Sequence, residues 1–133
     1  MNPEEKFAVA LADVMSPDAR IRNVAAITLM DSGNPEAVDA LVAAIEIAAY
    51  REARGTLIYA LSGFDCTSRF SQLFRWAIEG GFEASYEALS ILREQRMSPD
   101  ETARKECLSL LGKAQKQMEL DNDLQDELLL LLG

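Results

Sequence analysis

All four prolines of the chain stand in one local pattern, and that pattern marks a helix start. They occur in Asn2-Pro3-Glu4-Glu5, Ser16-Pro17-Asp18, Asn34-Pro35-Glu36 and Ser98-Pro99-Asp100-Glu101. Each reads as a capping side chain, a proline at the first helical position and an acid in the first turn. The cap oxygen accepts from an orphan backbone N–H. Proline has no N–H to lose there and its φ is already helical. The acid complements the positive end of the helix dipole. Glycines supply the matching stops: Gly33, Gly63 and Gly80-Gly81 follow periodic apolar runs, where a left-handed backbone is favourable for glycine alone. A chain punctuated in this way is expected to be all-α.

Between these marks the apolar spacing is helical. Seven stretches show it: Phe7, Leu11, Val14 and Met15; Ile21, Val24, Ala25, Thr28 and Leu29; Val38, Leu41, Val42 and Ile45; Ala53, Leu57, Ala60 and Leu61; Phe70, Leu73, Phe74 and Ala77; Tyr86, Leu89 and Leu92; Ala103, Cys107, Leu110, Leu111 and Ala114. A short eighth helix is expected over about 123–132. Shifting the chain by 32 lays Arg22 on Arg54, Ala25 on Leu57, Leu29 on Leu61, Val38 on Phe70, Leu41 on Leu73 and Val42 on Phe74. A third helix pair follows at a spacing of 31 to 34. Helix pairs at such a period are the signature of an α-solenoid. The expected architecture is a right-handed α-α superhelix of about three helix pairs, with seven to eight helices. The 133 residues suit one domain, with 1–15 as an N-terminal cap helix, 16–118 as the repeats and 119–133 as an acidic, leucine-rich cap.

The stretch from Asp18 to Val42 resembles a HEAT-like repeat, of the short type also found in phycobilisome lyases. Arg22, Ala25, Ala26, Leu29, Gly33, Pro35, Glu36, Ala37, Val38 and Leu41 match that pattern, with Asn34 where the type has Asp. The match is specific over 16–46, weaker over 50–79 and weakest over 82–115. The resemblance implies stacked antiparallel helix pairs and a protein-binding scaffold. It does not carry lyase activity with it, since one architecture serves many functions.

Composition removes several function classes. Thirteen Lys and Arg stand against 22 Asp and Glu, a net charge of −9, which opposes binding to a phosphate backbone. The chain has no histidine, which eliminates Ser-His-Asp, Cys-His and His-metal chemistry together. Its two cysteines, Cys66 and Cys107, are 41 positions apart and form no C-x-x-C motif. Both lie in apolar helical patterns and read as reduced core thiols. No apolar run approaches the ~20 residues of a membrane span; the longest is Leu128 to Leu132. The acidic start, Met1-Asn-Pro-Glu-Glu, is unlike a secretory signal. The expectation is a cytoplasmic protein with no cofactor, no metal, no nucleic acid and no membrane partner.

The residues singled out for function are few. Paired acids fall mostly in first helical turns and the tail, where dipole complementarity accounts for them. Glu79, Glu83 and Glu87 read as solvated surface. Arg22 and Arg54 are equivalent across the repeat, and the resemblance implies that they tie repeats together through the planar donor fork of arginine. The fifth helix places Arg69, Gln72 and Trp76 on one stripe where the third has Ala37, Ala40 and Ala44, with Arg75 nearby. Trp and Arg are enriched at interface hot spots. Trp76 either anchors a partner there or packs between repeats. The expected function is a non-enzymatic protein-interaction module (adaptor, scaffold or immunity-type binder) with a groove built from the third, fifth and seventh helices. Arg69, Gln72, Arg75 and Trp76 would lie centrally, and Asp39 and Glu46 would favour a partner with a basic surface. Two alternatives stand beside it: a lyase-like or cofactor-handling protein using Cys66 or Cys107, and a homo-oligomeric assembly element. The leucines at 128–132 are apolar all round, so they should be buried on more than one side as a cap or form a homodimer contact.

Overall fold

A computed structural model describes residues 1–117 and 120–133. Met118 and Glu119, where the expected repeats give way to the expected cap, lie outside the described residues. The protein is all-α: α1 (Pro3–Asp13), α2 (Ala19–Ser32), α3 (Ala37–Ile45), a 3-10 turn (Ala48–Tyr50), α4 (Gly55–Leu61), α5 (Phe70–Glu79), α6 (Gly81–Glu94), α7 (Glu101–Lys116) and α8 (Asn122–Leu132). Among the described residues there is no strand. The helices fall into two compact units, Met1–Asp65 and Cys66–Gly133.

In the first unit α2 packs against α1, α3 and α4, and α3 packs against α4. Leu29, Leu41, Ile45, Leu57, Ile58 and Leu61 are fully buried. Arg22 is buried with them, and its Nη1 donates to the carbonyls of Ser16 at 3.0 Å and Pro17 at 3.3 Å. Its guanidinium lies over the Tyr50 ring, 3.7 Å from the centroid, and the Tyr50 hydroxyl donates to the Met15 carbonyl at 2.6 Å. The other equivalent arginine, Arg54, is also buried and donates to the Ile45 carbonyl at the end of α3, at 3.0 Å. In the second unit α5 packs against α6 and α7, and α7 against α8. Leu73, Phe74, Trp76, Ile91, Leu92 and Leu111 are fully buried.

The proline pattern starts a helix as expected only at Asn2-Pro3, where Asn2 Oδ1 accepts from the Glu5 N–H at 2.8 Å. At the other three the helix begins two residues later. Asp18 and Asp100 are the caps there, accepting from the N–H groups of Arg20 and Ala103. At the third site α3 begins at Ala37, after Asn34 Oδ1 has accepted from the Glu36 N–H. A residue before proline is pushed out of the α region, and an aspartate just after it reaches the orphan N–H groups of the next turn. The glycine stops also divide. Gly33 (φ +63) is left-handed at the end of α2, and Gly81 (φ +76) opens α6. Gly80 is right-handed, with φ −80, and is needed for space: a Cβ there would stand 2.6 Å from the Trp76 carbonyl oxygen and against Ala84.

Four apolar expectations are corrected. Met15 (41% exposed), Ile21 (44%), Val24 (69%) and Tyr86 (59%) belong to the expected core stripes but face solvent. Smaller neighbours take the interior in their place: Ala25 and Ala26 on α2, Ala84 and Ala88 on α6. The leucine run is not buried all round. Leu128 and Leu132, one turn apart, are buried, while Leu129 and Leu130 are 44% and 80% exposed. A single helix laid on one neighbour covers one stripe only, and here α7 is that neighbour. Arg104 Nε holds the Leu132 carbonyl at 3.2 Å. The Arg93–Glu127 pair, at 3.4 Å, links α8 to α6.

Candidate functional site

An open groove runs between α5 and α7. Its upper part, about 450 Å³, lies where both helices begin, among Thr67, Ser68, Arg69, Ser98, Asp100 and Thr102. Its lower part, about 650 Å³, is lined by Arg75, Lys105, Ser109 and Leu110. Ser71, Gln72 and Glu106 border both, so the two parts are continuous.

The local sequence explains the polar walls. α5 turns Phe70, Leu73, Phe74, Trp76 and Ala77 inward, which leaves Ser71, Gln72 and Arg75 on the opposite side, half-buried along the groove. Arg69 Nη1 donates to Gln72 Oε1 at 3.0 Å, so the guanidinium is held along the wall one turn from the helix start. Arg75 Nε stands 3.9 Å from Glu79 Oε1. On the facing helix, Asp100 is occupied as the α7 cap. Three cations and two carboxylates therefore share the groove, a mixed field rather than an acidic one.

Beneath the floor, the Ser71 side chain bonds the Cys107 sulfur and joins α5 to α7. The Cys107 thiol pKa is raised to about 11, by burial above all and in part by Glu106, against the lowering effect of the Ser71 hydrogen bond. The thiol is fully protonated at neutral pH, in contrast to the thiolate that nucleophilic chemistry requires. Cys66 is also buried. Its backbone N–H donates to Gln95 Oε1 at 2.8 Å.

The sequence-predicted residues are not all brought together. Arg69, Gln72 and Arg75 share the groove. Trp76 does not: it is fully buried, so it cannot be a surface anchor for a partner. At 100° per residue Trp76 stands only about 40° from Gln72, on the margin of the buried arc, and its large apolar ring is drawn to the covered side. Asp39 and Glu46 are exposed on α3 and at its end, in the first unit, whereas α5 and α7 belong to the second. Arg22 and Arg54 hold backbone carbonyls close to them in sequence. The facing wall, with Thr102 and Lys105, was not singled out from sequence. A signal for it existed: a shift of 33, within the repeat spacing, carries Arg69 onto Thr102 and Gln72 onto Lys105.

No protein-family model matches the chain, and no curated protein or solved structure matches it either.

Proposed function

We propose that the chain is a non-enzymatic protein-interaction module of HEAT-like type, whose α5–α7 groove receives a segment of another protein. The groove itself carries the reading: it is open and lined by arginine, glutamine, lysine, carboxylate and hydroxyl side chains suited to backbone and side-chain hydrogen bonds. Contacts between helices two apart in the chain, α2 with α4 and α5 with α7, support the repeat part of the proposal, because stacked helix pairs touch in that way. The protonated, buried Cys107 weighs against the lyase-like alternative.

The test is capture of partners from native lysate with the wild-type protein beside Arg69→Ala/Arg75→Ala/Lys105→Ala. These side chains are at least partly exposed, so the variant should remain folded, as circular dichroism would verify. A partner held by the wild type and lost by the variant supports the groove. Equal recovery by both removes it.

Exposure of Leu129 and Leu130 favours a second reading, self-assembly through α8. Light scattering across a hundredfold concentration range, with Leu129→Glu/Leu130→Glu as control, decides it. A mass that never rises above 14.7 kDa in the wild type ends this reading.

A further inference from the structure

The α6 helix presents a face that the groove does not use. Phe82 is 89% exposed and Tyr86, one turn on, is 59% exposed. Two adjacent exposed aromatics on one helix are unusual for a surface with no partner. Beside them runs a parallel row of acids, Glu83 and Glu87, with Glu94 further along the same stripe. Among the described residues no ion pair reaches Glu83 or Glu87. The cations of α5 and α6 pair with other acids: Arg75 with Glu79 and Arg93 with Glu127. The repulsion is felt locally, since burial first, then Glu94 and Glu83, raise the Glu87 carboxyl pKa above its ordinary value. Gly80 and the left-handed Gly81 fix the corner at which this face begins.

We propose that this α6 face docks a basic amphipathic segment of a partner protein, with Phe82 and Tyr86 as the apolar anchors and Glu83 and Glu87 as the acceptors for its Lys or Arg side chains. The proposal rests on the protein-interaction reading and names the partner chemistry for a second surface. Charge complementarity selects the occupant. A second copy on the same face would set Glu83 and Glu87 against their own equivalents, and an anionic lipid surface would meet the same repulsion. A segment with apolar side chains one turn apart and cations flanking them satisfies both rows at once.

The probe is a synthetic 14-residue helix-forming peptide of Leu, Ala and Lys, with a Glu-for-Lys version as its counterpart. Backbone amide shifts of the labelled protein are followed during titration. The expected result is a saturable shift centred on residues 81–88 for the Lys peptide and none for the Glu peptide. Phe82→Ser and Tyr86→Ser should each weaken binding about tenfold, as loss of an anchor does. Glu83→Gln/Glu87→Gln should weaken it severalfold and flatten its dependence on salt. Phe82, Glu83 and Tyr86 are exposed and Glu87 is half-buried, and the two sets of variants fail by different routes if either disturbs the helix. Shifts centred on α5 and α7 would overturn the α6 proposal and leave the groove reading intact. Equal binding of the Glu peptide, absence of any saturable shift, or concentration-dependent α6 shifts without peptide would also overturn it. Loss of lysate partners through the groove variant alone would show the groove reading standing when this one has failed.

Discussion

Arg22 and Trp76 show how a residue type with functional associations can serve the fold. Arg22 gives two hydrogen bonds to the loop that leads into its own helix and stacks on Tyr50. Lysine can supply a charge there but neither the fork nor the planar stack. Arg22→Lys is expected to lower stability by about 1–2 kcal/mol, the size of one lost hydrogen bond and a weakened cation–π contact. Urea unfolding measures it, and a change under about 0.5 kcal/mol would mean the loop is held by other contacts. Trp76 is fully buried, so Trp76→Ala should cost about 3–5 kcal/mol through a cavity. A binding defect in that variant would report on folding, which is why the groove test uses Arg69, Arg75 and Lys105. Its place on a stripe with Arg69 and Gln72 was legible in the sequence; its burial was one of two outcomes left open there, because a residue on the edge of a helical arc goes in or out according to what the next helix covers.

At the scale of the helix, caps and stops are the most local features and were the most legible. Even so, three starts moved by two residues, because an aspartate downstream of proline competes with the residue upstream of it. The end of α6 shows the opposite case, a stop that carries no glycine. Arg96 takes φ +50, with the Met97 N–H bonded to the Leu92 carbonyl and the Arg96 N–H to that of Arg93. This is the Schellman pattern with arginine where glycine is usual. A left-handed L-residue costs about 1–2 kcal/mol, part of which is offset by the larger unfolded-state entropy of glycine. Arg96→Gly is therefore expected to stabilise the protein by about 0.5–1 kcal/mol. Thermal unfolding checks this, and a fall in midpoint would show that the exposed Arg96 side chain holds the turn.

Across the whole molecule, two consequences follow from burial and charge. Both thiols are buried, and Cys107 is held protonated with its pKa near 11. Alkylation of the native protein at pH 8 should be slow at both, and should accelerate with urea in step with unfolding. A fast reaction in the native state would revive the cofactor-handling alternative. The raised pKa of Glu87 means that its charged form is disfavoured on folding. Its contribution to stability is full below the ordinary carboxylate range and is lost as pH rises through the raised native value. Glu87→Gln is expected to stabilise the protein at pH 7 and to bring no gain near pH 4; an equal gain at both values would exclude a charge effect.

The sequence by itself determined that the protein is all-α, roughly where its helices lie, and that no histidine chemistry is open to it. These follow from interactions within a turn or two of the chain: capping, apolar period and composition. Only the tertiary structure decided which stripe of each helix is covered. It put Trp76 inside and left Phe82 and Tyr86 outside, with Ala84 and Ala88 packed in their place. It also set Lys105 and Thr102 opposite Gln72 and Arg69, thirty or more residues away. The physical reason is the same in each case. Burial is a property of two surfaces brought together, and the pattern along one helix specifies only one of them.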